Sequence, residues 1–134
     1  MLKSIVIDNY FEDINEVYNH VKSIKTFDSK NYPNDPNVNT AKIDWPGYRS
    51  TQLAEIDFIH KDEPHMYSML VYLSPTNLSS GTDLYNENDE VINSVKYVQN
   101  RALVFNSSYK HKAVNNHGTD INNGRLTLNI FMDR

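Results

Sequence analysis

The chain has 134 residues, which is enough for one hydrophobic core and too few for two ordinary domains. Lys and Arg number 13 against 17 Asp and Glu, the net charge is −4, and there is no cysteine. This balance argues against broad binding to a nucleic-acid backbone, so nucleic acid is not an expected partner. Without thiols, disulfides and thiolate metal sites are excluded, and any metal would need His, Asp or Glu ligands.

The sequence has no apolar run of the roughly 18–20 residues that a membrane-spanning helix needs. Residues 1–7 also lack the pattern of a secretory signal peptide. We therefore expect one domain over residues 1–134, in a cytoplasmic protein without membrane contact.

The N-terminal part predicts one strand and one helix. Ser4–Ile7 is β-branched and bounded by turn-forming residues, as in a short strand. Asp13 and Glu16 then resemble a capping box. Apolar residues recur at helical spacing at Phe11, Ile14, Val17, Tyr18, Val21 and Ile24. We predict a helix over about residues 13–25.

Residues 28–50 have the composition of a loop. They hold three of the five prolines, several Asn and the segment Trp45-Pro46-Gly47-Tyr48-Arg49. Long irregular segments in small domains often border binding sites. Trp45, Tyr48 and Arg49 are therefore candidate residues of a substrate lid, the alternative being a loop without a binding role.

Short strands dominate the rest of the chain. The predicted strands are Leu53–Ile59, Tyr67–Ser74, Thr82–Tyr85, Ser94–Val98, Ala102–Phe105, Lys110–Val114 and Leu126–Met132. Turn-forming segments separate them, including Ser79–Gly81 and Asn86–Asp89. Strands at this spacing are typical of an antiparallel sandwich or barrel. The sequence predicts a mainly β domain with an N-terminal helix.

Three residues form a candidate metal site. In a strand, residues two apart project to the same face, so His60 and Asp62 can aim an imidazole and a carboxylate at one point. Alone, this pair is more typical of a surface ion pair or a satisfied polar turn. His111, 49 positions beyond Asp62 on a predicted strand, supplies the third ligand of a facial triad of two His and one carboxylate.

Arg125 opens the last predicted strand, where Arg125, Thr127 and Asn129 share one face and Leu126, Leu128 and Ile130 the other. An Arg that points inward from a hydrophobic strand is costly unless it meets an anion, and its guanidinium suits a carboxylate. A structural salt bridge to an internal Asp or Glu is the alternative.

In order and spacing, these segments resemble the 2-oxoglutarate/Fe(II) oxygenases. The matching segments are His60-Lys61-Asp62, Val71-Tyr72-Leu73-Ser74, Ser80-Gly81-Thr82, Ala102-Leu103-Val104-Phe105, His111 and Gly124-Arg125-Leu126-Thr127-Leu128-Asn129-Ile130-Phe131. The resemblance covers about residues 53–132 and extends to small phage and bacterial oxygenase-like proteins. It implies a double-stranded β-helix, or jelly roll.

The resemblance also implies site roles and a reaction. His60, Asp62 and His111 would hold Fe(II), and Arg125 with Thr127 would bind the cosubstrate 2-oxoglutarate. Tyr72 or Tyr67 could hydrogen-bond to the same carboxylate. The other interpretation, for either residue, is packing in the aromatic core. The expected enzyme is a dioxygenase that hydroxylates a small molecule or peptide and releases succinate and CO2.

Other interpretations stay open at this point. One rival is a non-catalytic jelly-roll module for binding or assembly with a vestigial metal site, and another is a cupin-like metal enzyme that needs no 2-oxoglutarate. His65 and His117 lie outside the proposed ligand set, and His117 is expected to be exposed in its turn. Ten residues separate Arg49 from His60, so the barrel is completed by the N-terminal strand, by a second subunit in a homodimer, or not at all.

Overall fold

A computed structural model of the chain describes residues 4–23, 40–41, 50–52, 59–62, 66–115, 117 and 123–133. Nine strands and one helix lie in these ranges: β1 (Ser4–Ile7), α1 (Ile14–Ser23), β2 (Thr40–Ala41), β3 (Ser50–Gln52), β4 (Tyr67–Tyr72), β5 (Asn77–Tyr85), β6 (Val91–Tyr97), β7 (Ala102–Asn106), β8 (Lys110–Val114) and β9 (Thr127–Met132). None of the helical structure within these ranges is long and apolar enough to cross a membrane.

The strands form two antiparallel sheets. Within the described ranges, one has the order β1-β7-β4-β9-β3-β2 and the other the order β6-β5-β8. A buried cluster contains side chains of both sheets, so the sheets pack face to face: Leu70, Tyr72, Leu84, Val95, Tyr97, Leu103 and Phe105. The prediction of a mainly β fold is confirmed, and two packed antiparallel sheets are consistent with the jelly-roll type.

The outer face of the larger sheet is covered by α1. Asp13 caps the helix, because its Oδ1 accepts a hydrogen bond from the Glu16 backbone N–H at 3.1 Å. Val17, Tyr18 and Val21 form the buried stripe of the helix. They pack against the sheet residues Met69, Val71, Leu73, Ala102, Leu126, Leu128 and Ile130. Alternate residues of β4 and β9 therefore face the helix, and the others face the second sheet.

The turn predicted at Ser79–Gly81 is wrong, because these residues lie inside β5. A Cβ at Gly81 would overlap the carbonyl oxygen of Val95 on the neighbouring strand. The register of β5 against β6 also shifts between Asn77 and Gly81. Gly81 therefore marks a bulge and a close approach of two backbones. Strands use glycine at both kinds of position, as turns do.

Other observed strands lie closer to their predicted bounds. β8 has the predicted bounds, and β6 begins three residues earlier than predicted, at Val91. The predicted strand at Leu53–Ile59 lies outside the described residues except for Ile59, which is not in a strand. The candidate lid residues of the 28–50 loop also lie outside them.

Both edges of the larger sheet receive strands from the N-terminal half. β1 pairs with β7, and β3 pairs with β9. The N-terminal strand therefore extends the sheet. This agrees with the first of the three alternatives given for completing the barrel.

Candidate metal centre

His60 and His111 are paired through their backbones. The His60 N–H donates to the His111 carbonyl at 3.1 Å, and the His111 N–H donates to the His60 carbonyl at 2.9 Å. This isolated antiparallel bridge continues the smaller sheet beyond β8. The imidazole centroids lie 4.1 Å apart. His60 forms this bridge, but Lys61 and Asp62 are not in a strand, so the strand geometry expected for His60 and Asp62 is not found.

Asp62 completes a group of three potential ligands. Its Oδ2 lies 3.1 Å from His111 Nε2, and its Oδ1 lies 3.7 Å from His60 Nε2. One ligand atom from each residue can be chosen so that all three lie within 4.8 Å of one another. Side-chain exposure is 13% for His60, 16% for Asp62 and 1% for His111, so solvent reaches the group from the His60 and Asp62 side.

The protonation states suit metal binding. Burial raises the pKa of Asp62, but the nearby His111 and His60 and the Ser68 hydroxyl outweigh burial and hold that pKa below its usual value. His111 Nδ1 lies 3.3 Å from the Tyr109 carbonyl oxygen, so Nδ1 would donate to this oxygen when a metal ion takes the place of a proton on Nε2. A carboxylate and two imidazole nitrogens are the donor set of a facial triad for iron(II).

Arg125 lies fully buried between the two sheets. Its Nε donates to Ser80 Oγ at 3.1 Å, and its Nη2 donates to the Gly81 carbonyl at 2.8 Å and to Thr82 Oγ1 at 3.4 Å. Its guanidinium carbon also lies 5.2 Å from the centre of the Tyr97 ring. These described contacts are with neutral groups and aromatic rings.

Thr127 and Asn129 continue the row of Arg125 along β9. Both are buried, and within the described ranges Thr127 Oγ1 and Asn129 Oδ1 have no hydrogen-bond partner. Tyr72 lies opposite Thr127 in the β4–β9 register and donates from its hydroxyl to Thr82 Oγ1 at 2.7 Å. Tyr72 is thus connected to Arg125 through Thr82, in addition to its core packing.

Two expectations about other residues are wrong. Tyr67 is 40% exposed and faces neither the core nor this row. His117 is half-buried instead of exposed, with its ring 5.7 Å from the ring of Tyr97. Burial lowers the pKa of His117, the Asn115 backbone raises it, and the charge of Arg125 lowers it further. His65 lies outside the described residues.

Four polar residues around these groups were not predicted. Ser80 and Thr82 contact Arg125, and Ser68 and Ser107 adjoin Asp62. The alternation of Ser80 and Thr82 in a strand was the available signal for the first pair, but the predicted turn obscured it. For Ser68 and Ser107 the sequence held no signal, because they are brought together across 39 positions by the pairing of β4 with β7.

Comparisons with known proteins concern the fold. The solved structure of a prolyl-4-hydroxylase from Pseudomonas putida superposes with a TM-score of 0.51 at 14% identity, covering 98% of this chain and 93% of that one. The fold is oxygenase-like. A Shewanella oneidensis protein described as a candidate oxygenase aligns over 75% of this chain and 40% of its own, at 16% identity and a TM-score of 0.40. No known family matches the sequence, and no curated protein does.

Proposed function

We propose that this protein is a non-haem iron(II), 2-oxoglutarate-dependent dioxygenase with a double-stranded β-helix core. It would hydroxylate a small molecule or a peptide and release succinate and CO2. The observation that carries the proposal is the presence of a candidate metal triad and a buried Arg125 in one sheet sandwich. The oxygenase-like fold supports it.

The register of the smaller sheet relates the two groups. On β5, Thr82 contacts Arg125, and Leu84 lies opposite the ligand His111. Two strand residues span about 7 Å. Arg125 and the candidate metal ligands therefore border neighbouring positions along β5.

Each residue then has a defined task. His60, Asp62 and His111 would hold iron(II), which with 2-oxoglutarate supplies the O2 chemistry of hydroxylation. Arg125 would bind the distal carboxylate of 2-oxoglutarate. The buried Thr127 hydroxyl, which has no hydrogen-bond partner among the described residues, would donate to the same group. Tyr72 would hold Thr82, and through it Arg125, in place.

The proposal is tested by adding Fe(II) and 2-oxoglutarate to the metal-free protein under anaerobic conditions. We expect the visible metal-to-ligand charge-transfer band of the chelate. Arg125→Ala should weaken 2-oxoglutarate binding and leave Fe(II) affinity nearly unchanged. Arg101→Ala is the matched control, because Arg101 pairs with Asp8 at the surface and should affect neither. Folded protein without the band would exclude the proposal.

One observation favours a second candidate, a non-catalytic jelly-roll module. Arg125 already has three hydrogen bonds to β5, so it connects the two sheets without a ligand. In that case Arg125→Ala would lower the stability of the fold, and the wild-type protein would show no saturable affinity for 2-oxoglutarate.

A further inference from the structure

Ser68 is a polar residue in an aromatic setting. It is buried on β4, in register with Phe105 of β7 on one side and Phe131 of β9 on the other. A buried hydroxyl between phenylalanines is costly unless it has hydrogen-bond partners. Its partners are Asp62 Oδ2 at 3.1 Å and Ser107 Oγ at 2.8 Å.

The direction of these hydrogen bonds follows from the number of protons. An ionised carboxylate only accepts, so the single hydroxyl proton of Ser68 goes to Asp62. Ser68 Oγ can then only accept from Ser107, whose hydroxyl must be the donor. Hydrogen bonds in such a chain polarise one another, which strengthens the bond to the carboxylate.

Ser107 also binds the backbone of Asp62. The Asp62 N–H donates to the Ser107 carbonyl at 3.3 Å, and the Ser107 N–H donates to the Met66 carbonyl at 3.0 Å. The contacts form a closed ring from the Asp62 N–H to Ser107, from Ser107 to Ser68, and from Ser68 back to the Asp62 carboxylate. Rotation of the carboxylate would break this ring.

We propose that Ser68, with Ser107 behind it, is a positioning residue that fixes the orientation of the Asp62 carboxylate for metal binding. This inference rests on the metal site of the proposed function. Removal of a hydrogen bond that orients a metal ligand commonly lowers metal affinity about 10- to 100-fold. The hydroxyl also occupies one carboxylate oxygen, which favours binding through a single oxygen and leaves more positions open for a chelating cosubstrate.

The test is titration of the metal-free protein with Co(II), followed by visible absorption, which reports affinity and ligand geometry together. We expect Ser68→Ala to weaken Co(II) binding about 10-fold or more and to change the absorption bands. Ser107→Ala should produce a smaller loss, and Ser68→Thr, which keeps the hydroxyl, should retain most of the affinity.

Ser74→Ala is the matched control. Ser74 is also a buried serine, but its hydroxyl bonds to the Gly124 carbonyl and the Leu126 N–H, in a different part of the fold. This variant should lose stability and keep the Co(II) affinity and spectrum of the wild type.

Several outcomes would overturn the inference. One is a Ser68→Ala protein with wild-type affinity and spectrum, and another is an equal loss of affinity in Ser74→Ala. If Ser68→Ala fails to fold, wild-type behaviour of folded Ser107→Ala would overturn it. Failure of the wild-type protein to bind Co(II) would instead reject the proposed metal site, and the positioning role with it.

Discussion

His60 and His111 lie directly opposite each other and exchange both backbone hydrogen bonds, at 3.1 and 2.9 Å, although they are 51 positions apart. Residues that are directly opposite in an antiparallel ladder project to the same side. The closeness of the two imidazoles is therefore set by the backbone, and the Asp62 carboxylate already lies beside them, hydrogen-bonded to Ser68. This arrangement makes the site largely preformed before any metal binds.

We predict that Mn(II) or Co(II) raises the unfolding midpoint of the wild-type protein, since a ligand that binds only the folded state stabilises it. At a metal concentration 100 times the Kd, the gain is about 2.7 kcal/mol. Asp62→Asn keeps the shape of the side chain and removes a charged ligand, so it should abolish most of this gain. Thermal unfolding with and without metal measures it.

The control for that experiment is Asp83→Asn, on β5, whose carboxylate accepts a hydrogen bond from Ser94 instead of facing the histidines. It should retain the full metal-dependent rise. An equal rise in Asp62→Asn would show that the added metal binds elsewhere.

Gly81→Ala should destabilise the fold, because the new Cβ would overlap the Val95 carbonyl. Overpacking of this kind usually costs about 1–3 kcal/mol and is largest where backbone must move. Urea denaturation gives the change in the free energy of unfolding. Ser79→Ala, at an exposed position of the same strand, should change stability by less than about 0.5 kcal/mol. Similar stabilities for the two variants would contradict the close approach.

Asn100 joins the β6–β7 turn to the segment before α1. Its Oδ1 accepts from the Phe11 N–H at 2.8 Å, its Nδ2 donates to the Phe11 carbonyl at 2.8 Å, and its φ is 67°. Asn100→Ala loses both hydrogen bonds and keeps a strained φ, so we expect a loss of about 2–4 kcal/mol. Asn100→Gly relieves the strain and should lose less. If Ala is tolerated as well as Gly in denaturant titrations, the strain argument is wrong.

The Asp8–Arg101 pair should make a small contribution to stability that depends on pH. Its hydrogen bond to Arg101, 2.7 Å from Nε, lowers the pKa of Asp8 below its ordinary value of 3.8, against the opposing effect of burial. Because the pKa of Asp8 is lower in the folded protein than in the unfolded one, its ionised form stabilises the fold above about pH 3.8. This stabilisation is lost as the pH falls through the pKa of the folded state. Because the Asp8 side chain is 51% exposed and screened by solvent, the contribution should stay below about 1 kcal/mol.

Asp8→Asn should therefore be less stable than the wild type at pH 7, and the difference should shrink toward pH 3. Urea denaturation of both proteins at the two pH values measures it. A difference that grows as the pH falls would mean that Asp8 is not held in its charged form by Arg101.

Residue spacing over short stretches of sequence was enough to predict some of the strands and the helix. The strand Lys110–Val114 has the predicted bounds, and the helix predicted over about residues 13–25 from helical spacing and the Asp13 cap lies at Ile14–Ser23 within the described residues. The turn at Ser79–Gly81 failed because glycine in a bulged strand and glycine in a turn look alike in sequence. Only the three-dimensional approach of Val95 distinguishes the two.

The residues of the candidate site also divide into those that the sequence could predict and those that depend on the folded structure. His60 and Asp62 lie close together in sequence. His111 and Arg125 were candidates by residue type and position on predicted strands, and the resemblance to a known family implied their roles. The serines that hold Asp62 depend on which strands become neighbours, and no periodicity reports that. The half-burial of His117 was equally unpredictable, since it depends on the ring of Tyr97 across the fold.

The hydrogen bonds of Arg125 to Ser80, Gly81 and Thr82 mean that a carboxylate would not enter an empty cradle. It would have to share the guanidinium with these oxygens or displace some of them. If binding requires displacement, the measured affinity would be the intrinsic affinity reduced by the fraction of molecules in which the exchange has occurred. Substitutions that weaken the serine and threonine contacts, far from the metal, would then tighten cosubstrate binding while they loosen the sheets.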